Sequence, residues 1–231
     1  MVELTRTDEN QKAWYPIPIH KLEAYLGKYI ESGGSYKHAY SLKKDLAYNL
    51  QYLQFQDRII SDIKLSSVLY TQTIKTVVLV SCSIVESILH YSLIKKNVHS
   101  ETIWKQKANF TGNQKKLDGE YIRIDTIVNT KLKEKELKHM TFDAMLKSAK
   151  SNSIFGQRPL IYEKLEILRK LRNRIHLQPS DDKLGTDWTT FTTPLLNETY
   201  QIMYSIFTSS LFEPTIEEKE YFYHLSIPYG A

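Results

Sequence analysis

The sequence predicts an all-α fold: an antiparallel bundle of four to six helices in one domain spanning residues 1–231, with a small hairpin inserted in 98–140. Three observations support this. Glycine and proline are scarce, at 8 and 7 of 231 residues, against roughly 7% and 5% in average proteins. Leucines recur every three or four residues along 42–60, and an apolar run covers 77–94. Both patterns are typical of helices packed in a core.

The N-terminal part of the sequence is predicted to form a polar segment followed by two helices. Residues 1–16 are polar and end at Pro16. A short helix is expected over 19–31, stopped by Ser32-Gly33-Gly34, and a long one begins at about Ser35. The apolar stripe of this long helix consists of Leu42, Leu46, Leu50, Leu53 and Ile60.

A third helix is predicted over 67–96, and its centre, 77–94, is almost continuously apolar. A membrane span needs about 20 such residues. This segment contains Glu86, His90 and four serines, so the pattern favours the central helix of a soluble bundle. We expect no association with a membrane.

Residues 98–158 read as an insertion or elaboration of the bundle. Residues 121–128 partly alternate, with Ile122, Ile124 and Val128 on one side, which indicates a strand and a small hairpin. Residues 131–138 carry mixed charge. We interpret them as the solvated face of a helix, with a nucleic-acid contact as the alternative.

Capping residues and prolines predict where the remaining helices begin. Thr141 is expected to cap a helix, and Pro159 suits the first position of a helix running to Leu177. Thr193 and Pro194 begin another helix. A short final helix is expected in 214–225.

Several classes of protein are excluded. The single cysteine, Cys82, leaves no disulfide framework and no multi-cysteine metal site. Glycine-rich phosphate loops and the common metalloprotease and hydrolase motifs are absent. Asp181-Asp182 beside His176 fits solvated loop or cap residues better than a metal pair. We therefore expect no metal and no cofactor.

The net charge and the N-terminal residues indicate the class of partner and the cellular location. A net charge of +5 and a pI near 9.0 permit a polyanionic partner. The first ten residues lack the apolar core of a signal peptide. We therefore expect a cytoplasmic protein.

The most informative segment is 168–177, which holds three of the chain's seven arginines. At about 100° per residue in a helix, Arg169 and Arg172 lie within roughly 40° of His176, and Asn173 within roughly 60°. Arginine suits the geometry of carboxylates and phosphates. One helix flank would thus present two guanidinium groups, an imidazole and an amide. The alternative interpretation is an ordinary basic flank with a surface histidine.

Glu86 is the expected counterpart of these arginines. It lies in the most apolar predicted helix, where an unpaired carboxylate would be costly. We predict that Glu86 pairs with Arg169 or Arg172. The alternative is that Glu86 lies on a solvent-facing strip.

A long apolar helix with a central Glu, followed by Leu168-Arg169-Lys170-Leu171-Arg172-Asn173-Arg174-Ile175-His176-Leu177 on a later helix, resembles the HEPN family. Those proteins are small all-α bundles, and many are metal-independent ribonucleases of toxin–antitoxin, phage-defence and RNA-processing systems. Their motif is Arg, four to six residues, then His, often with a polar residue after the Arg. The resemblance covers about 67–97 and 159–211.

The resemblance implies catalytic roles for four residues and departs from the family pattern at two points. Arg169 has six residues before His176 but is followed by Lys. Arg172-Asn173 is the favoured dipeptide but has only three residues before His176. The implied catalytic residues are Arg169, His176, Arg172 and Asn173. Gln178 replaces the tyrosine that one subgroup of the family uses as an adenylylation site.

Further roles follow from the same resemblance. Glu86 would support the catalytic arginines, and Lys170 and Arg174 would contact substrate. The active site would form across a homodimer, and the partners would be RNA and an antitoxin or another defence-system protein.

The expected function is cleavage of RNA by attack of its own 2′-hydroxyl on the adjacent phosphate, with His176 in proton transfer and no metal. Two alternatives remain open at this point. The same flank could hold RNA or a nucleotide without cutting it. It could also dock a toxin–antitoxin partner, with a purely structural Glu86–Arg169 pair.

Overall fold

The computed structural model describes residues 14–31, 36–156, 159–172 and 186–229, which form a helical body and a β arm. The helices are α1 (Ile19–Gly27), α2 (Ala39–Asp62), α3 (Ser67–Lys95), α4 (Phe142–Ser151), α5 (Pro159–Arg172), α6 (Asp187–Thr190), α7 (Thr193–Phe207) and α8 (Ile216–Glu220), followed by a 3₁₀ helix (Tyr223–Ser226). The strands are β1 (Glu101–Phe110), β2 (Lys115–Leu117), β3 (Glu120–Ile122) and β4 (Thr126–Leu137). A mostly helical fold is confirmed, whereas the purely all-α class is wrong.

Helix α3 is the centre of the body. It contacts α2, α4, α5, α6 and α7, because its apolar residues surround the whole helix axis and need neighbours on every side. By length and composition α3 could span a membrane, yet 67% of its most apolar window is buried inside the body. This burial is that of the core helix of a soluble protein.

The N-terminal helices are shorter than the sequence predicts. Helix α1 ends at Gly27 rather than at 31, and α2 begins at Ala39 rather than near 35. Tyr29 and Ile30 nevertheless stay buried in the core. The chain therefore leaves the helix early and still buries the apolar residues that suggested a longer one.

The capping predictions for the later helices agree with the structure. The Thr141 side chain accepts a hydrogen bond of 3.2 Å from the backbone N–H of Ala144 at the start of α4. Pro159 begins α5, and Pro194 lies in the first turn of α7. The predicted extension of α5 to 177 lies outside the described residues. The short α6 was not predicted.

The final predicted helix, 214–225, divides into two pieces. Thr215 and Glu218 form a reciprocal capping box at the start of α8, and the 3₁₀ helix follows after Phe222. The Phe222 ring stacks against Phe207 of α7 with ring centroids 4.9 Å apart. Burial of Phe222 thus fixes where the last helical segment turns.

The predicted hairpin exists and is longer than expected. β1 and β4 pair antiparallel from Glu101↔Leu137 near the body to Phe110↔Thr126 further out. β2 and β3 pair beyond them. The strand predicted over 121–128 is interrupted, since β3 ends at Ile122 and β4 begins at Thr126.

The interpretation of 131–138 as a helix face is wrong, because these residues form the end of β4 and the residue after it. The run alternates Lys with Leu or Glu, which suits a ribbon exposed on both sides as well as a solvated helix. Pairing with β1 supplies backbone partners for Lys131, Glu136 and Leu137, with a register shift between them. This long-range pairing outweighs the modest helix propensity of Lys and Glu.

Candidate functional site

Arg172 and Glu86 form an ion pair that joins α5 to α3. Nη2 of Arg172 lies 3.0 Å from Oε2 and 3.4 Å from Oε1 of Glu86. The arginine side chain is 47% exposed and the glutamate 25%. Glu86 therefore holds one edge of the guanidinium and leaves the remainder accessible to a ligand anion.

Arg169 has different partners. Its Nε lies 2.8 Å from Oε2 of Glu166, one turn earlier in α5, and 3.5 Å from Oδ1 of Asp143 in α4. Of the two arginines proposed to pair with Glu86, Arg172 is thus the partner. Arg169 is less exposed and is held between two carboxylates, so it joins α4 to α5.

The other sequence-predicted site residues are only partly placed. Lys170 lies exposed in the last turn of α5. Asn173, Arg174 and His176 lie outside the described residues, as do Gln178, Asp181 and Asp182. Glu86, Arg169 and Arg172 are therefore the described members of the predicted set that gather where α3, α4 and α5 meet.

A buried thiol lies beneath the ion pair. Sγ of Cys82 donates a 3.3 Å hydrogen bond to the backbone carbonyl of Leu168, which ties α3 to α5 one turn before Glu86. Burial, together with the negative charge of Glu86, raises the pKa of the Cys82 thiol to about 12. The thiol stays protonated and serves packing.

A cleft of about 290 Å³ extends from Glu86 along α3. We call it the histidine cleft. Its walls combine apolar and aromatic side chains with a carboxylate, a hydroxyl and two imidazoles. Its lining residues are Tyr36, Leu42, Glu86, Ser87, His90, His139, Met140 and Met145. Because Glu86 belongs both to the ion pair and to this wall, the cleft adjoins the Glu86–Arg172 pair.

His90 lies one turn after Glu86 on the cleft wall. Its ring centroid is 5.8 Å from that of Tyr36 and 4.9 Å from that of His99, both edge to face. Burial lowers the pKa of His90, and His99 and His139 lower it further. At neutral pH the imidazole is therefore uncharged and can accept as well as donate a hydrogen bond.

His99 lies behind His90 and is 8% exposed. Its Nδ1 is 2.9 Å from the backbone carbonyl of Ser100, and its buried Nε2 has no hydrogen-bond partner among the described residues. His99 also lines a second cavity, of about 510 Å³, that shares Tyr36 with the histidine cleft. Polar groups thus concentrate where the arm joins the body.

From the sequence, His90 is only a polar residue within the apolar run of α3, and no role is predicted for His99, His139 or Tyr36. The positions of two of these histidines in the sequence could have predicted that they lie close together. His99 and His139 flank the inserted hairpin, and the two ends of a hairpin must meet. They do so here, since the backbone N–H of Lys138 donates a 2.9 Å hydrogen bond to the carbonyl of Ser100. Flanking residues of an insertion are therefore expected to share one site.

The chain matches no protein-family model, no curated protein and no solved structure. Within the described ranges, no group of three or more His, Cys, Asp or Glu side chains is arranged to hold a metal ion.

Proposed function

We propose that this chain is a metal-independent RNA endonuclease of the toxin or phage-defence type. The observation that carries the proposal is the Arg172–Glu86 ion pair at the border of the histidine cleft. It presents a fixed, half-exposed guanidinium beside a concave surface, in the segment that resembles the HEPN motif. The positive net charge of the chain favours a polyanionic substrate.

The reaction uses the RNA's own 2′-hydroxyl. Its oxygen attacks the neighbouring phosphorus, the bond to the 5′-oxygen breaks, and the products are a cyclic phosphate and a 5′-hydroxyl end. Negative charge grows on the phosphate oxygens, and a positioned guanidinium stabilises that charge. Arg172 fits this task, because Glu86 fixes its orientation and about half of its side chain remains exposed.

The remaining members of the motif have supporting tasks in this proposal. His176 transfers protons, and Asn173 orients the ribose or the histidine. Arg169 contributes charge while its carboxylate partners hold α4 against α5. A homodimer would supply a second set of these groups, and an antitoxin or defence-system protein would control the activity.

A cleavage assay in EDTA tests the proposal. Wild type should cut mixed tRNA and mRNA to products with cyclic-phosphate ends. Arg172→Ala should cut about 10²–10³-fold more slowly, the loss typical for one charge-stabilising donor. His176→Ala should lose about 10²–10⁴-fold, the usual contribution of an acid–base group.

Arg58 provides the matched control, because it forms an exposed ion pair with Asp62 on α2, outside the site. Arg58→Ala should cut RNA as wild type does. Equal cleavage by wild type and by both site variants would identify a contaminating nuclease and contradict the proposal. Loss of wild-type cleavage in EDTA would contradict the metal-independent reaction.

A second candidate function is that of a module that binds a toxin–antitoxin partner without cutting RNA. The arm favours it, because large apolar side chains such as Trp104, Phe110 and Tyr121 are exposed there, as at sites of protein association. This function predicts no cleavage product from any variant. Wild type itself would then have no affinity for RNA, and Arg169→Ala would lower the unfolding temperature.

A further inference from the structure

The histidine cleft has the size of a small-molecule site. Its volume of about 290 Å³ lies near the lower end of the roughly 300–1,000 Å³ that ligand pockets usually enclose. It can therefore hold one compact unit and not an extended chain. Three separate parts of the chain build it: residues 36–42, before and within the first turn of α2; the C-terminal half of α3; and residues 139–145, from the end of the arm into α4.

The lining has three chemically distinct parts. Tyr36, Met140 and Met145 offer an aromatic ring and polarisable thioethers, which suit contact with a flat ring. Glu86 and His90 offer hydrogen-bonding groups on one helix face, and His90 makes no hydrogen bond within the described part of the chain. Arg172, held by Glu86 at the border, offers a cation for an anion.

A nucleotide combines a flat base, hydroxyl and amine groups, and a phosphate. We propose that the histidine cleft binds one nucleotide of an RNA strand, with its base between Tyr36 and the methionines, its polar edge on His90, and its phosphate at Arg172. This assignment rests on the proposed function for the identity of the strand. The cleft itself can be tested without any cleavage.

Two variants separate the cleft from the rest of the surface. Leu42 is partly exposed on the cleft wall, so Leu42→Trp fills the cleft and leaves the ion pair in place. Ile167→Trp is the matched control, because Ile167 is exposed on α5 and is not among the lining residues. His90→Ala removes the polar contact, and His20→Ala changes an exposed histidine of α1 as its control.

The probes are uridine 3′-monophosphate, adenosine 3′-monophosphate and a short single-stranded RNA. Binding is followed by NMR shifts of the histidine ring signals and by calorimetry, with circular dichroism to check each fold. Wild type should show shifts of His90 and His139, and the RNA should bind more tightly than either mononucleotide because it meets more cations. Leu42→Trp and His90→Ala should each weaken RNA binding about tenfold or more, with both controls unchanged.

Each outcome decides between the cleft and the proposed function. If the protein cleaves RNA, and wild type and Leu42→Trp bind RNA equally well, nucleotide binding in the cleft is contradicted. The proposed nuclease activity is then still supported. Nucleotide-dependent NMR shifts without RNA cleavage would contradict the proposed nuclease activity and support nucleotide binding in the cleft. Mononucleotides that bind as tightly as RNA would overturn the assignment to an RNA strand, and absence of all binding would overturn the cleft.

Discussion

The helical body and the β arm use similar apolar side chains in opposite ways. In the body, Ile84, Leu89 and Leu93 of α3 are at most 1% exposed. In the arm, Leu117, Ile124 and Ile127 are each more than half exposed. The body is therefore stabilised by burial, whereas the described arm residues are ordered mainly by their own backbone pairing.

This difference shows that regular secondary structure and a core are separable. A two-stranded ribbon gains little stability alone, and both of its edges offer unpaired backbone groups to other chains. Charged side chains protect such edges, and the arm carries them along both long strands. They include Lys105, Lys107, Lys131, Lys133 and Lys135.

The largest expected difference between the two regions comes from truncating one leucine in each. Leu89→Ala empties a fully buried position and should lower the free energy of unfolding by about 2–5 kcal/mol. Leu117→Ala removes a side chain that is 57% exposed. It should change the free energy of unfolding by less than about 0.5 kcal/mol. Urea unfolding followed by circular dichroism measures both.

A large loss of stability in Leu117→Ala would contradict this difference between the body and the arm. It would mean that the arm's apolar residues are covered in solution, for instance by a second copy of the chain. Repeating the unfolding at several protein concentrations distinguishes that case, because only an associated arm gives a concentration-dependent midpoint.

A smaller effect is expected where the arm returns to the body. Thr141→Ala removes the side-chain cap of α4 and should cost about 1 kcal/mol. Thr130→Ala, in the exposed strand β4, is the matched threonine and should be nearly neutral. Equal losses in the two variants would show that the cap contributes nothing specific to α4.

The smallest effect concerns pH and again lies in the body. Burial is the largest cause that lowers the pKa of His90 and that of His224 below the usual 6.5. The unfolded chain therefore binds protons first as the pH falls. The stability that these groups contribute is complete above about pH 6.5 and is lost as pH falls through their folded pKa values.

Chemical unfolding at pH 7, 6 and 5 should reveal this slope. A variant carrying His90→Asn and His224→Asn should show a flatter slope, and His20→Asn should keep the wild-type one. Residues 101–137 contain no histidine. A chain in which a Gly-Ser linker replaces them should therefore also keep the wild-type slope of stability against pH. A slope that disappears with the arm would contradict the assignment to the body.

Local patterns were enough to predict much of the helical body. The apolar run of α3, the cap at Thr141 and the proline at the start of α5 each act within a few residues, so the sequence displays them directly. Partners far apart in sequence are harder to predict. The mixed-charge run 131–138 was misread because its ladder partner lies about 30 residues earlier, in β1.

Part of the site was also open to prediction. A carboxylate in an apolar helix needs a cation, and Glu86 does pair with an arginine of α5. The sequence left two candidates, since helical spacing alone cannot say which guanidinium reaches across. The histidine cleft could not be predicted from periodicity, because its residues come from three separate segments.

Local sequence patterns are enough to predict a mostly helical chain with α3 at its centre and to favour an arginine as the partner of Glu86. These features follow from hydrophobic periodicity, helix caps and the cost of burying a charge. Contacts between distant segments select Arg172 rather than Arg169 as the partner of Glu86, make 131–137 part of a strand, and bring His90 and His139 to one cleft. The physical reason is that packing, and not local sequence, sets distances between residues remote along the chain.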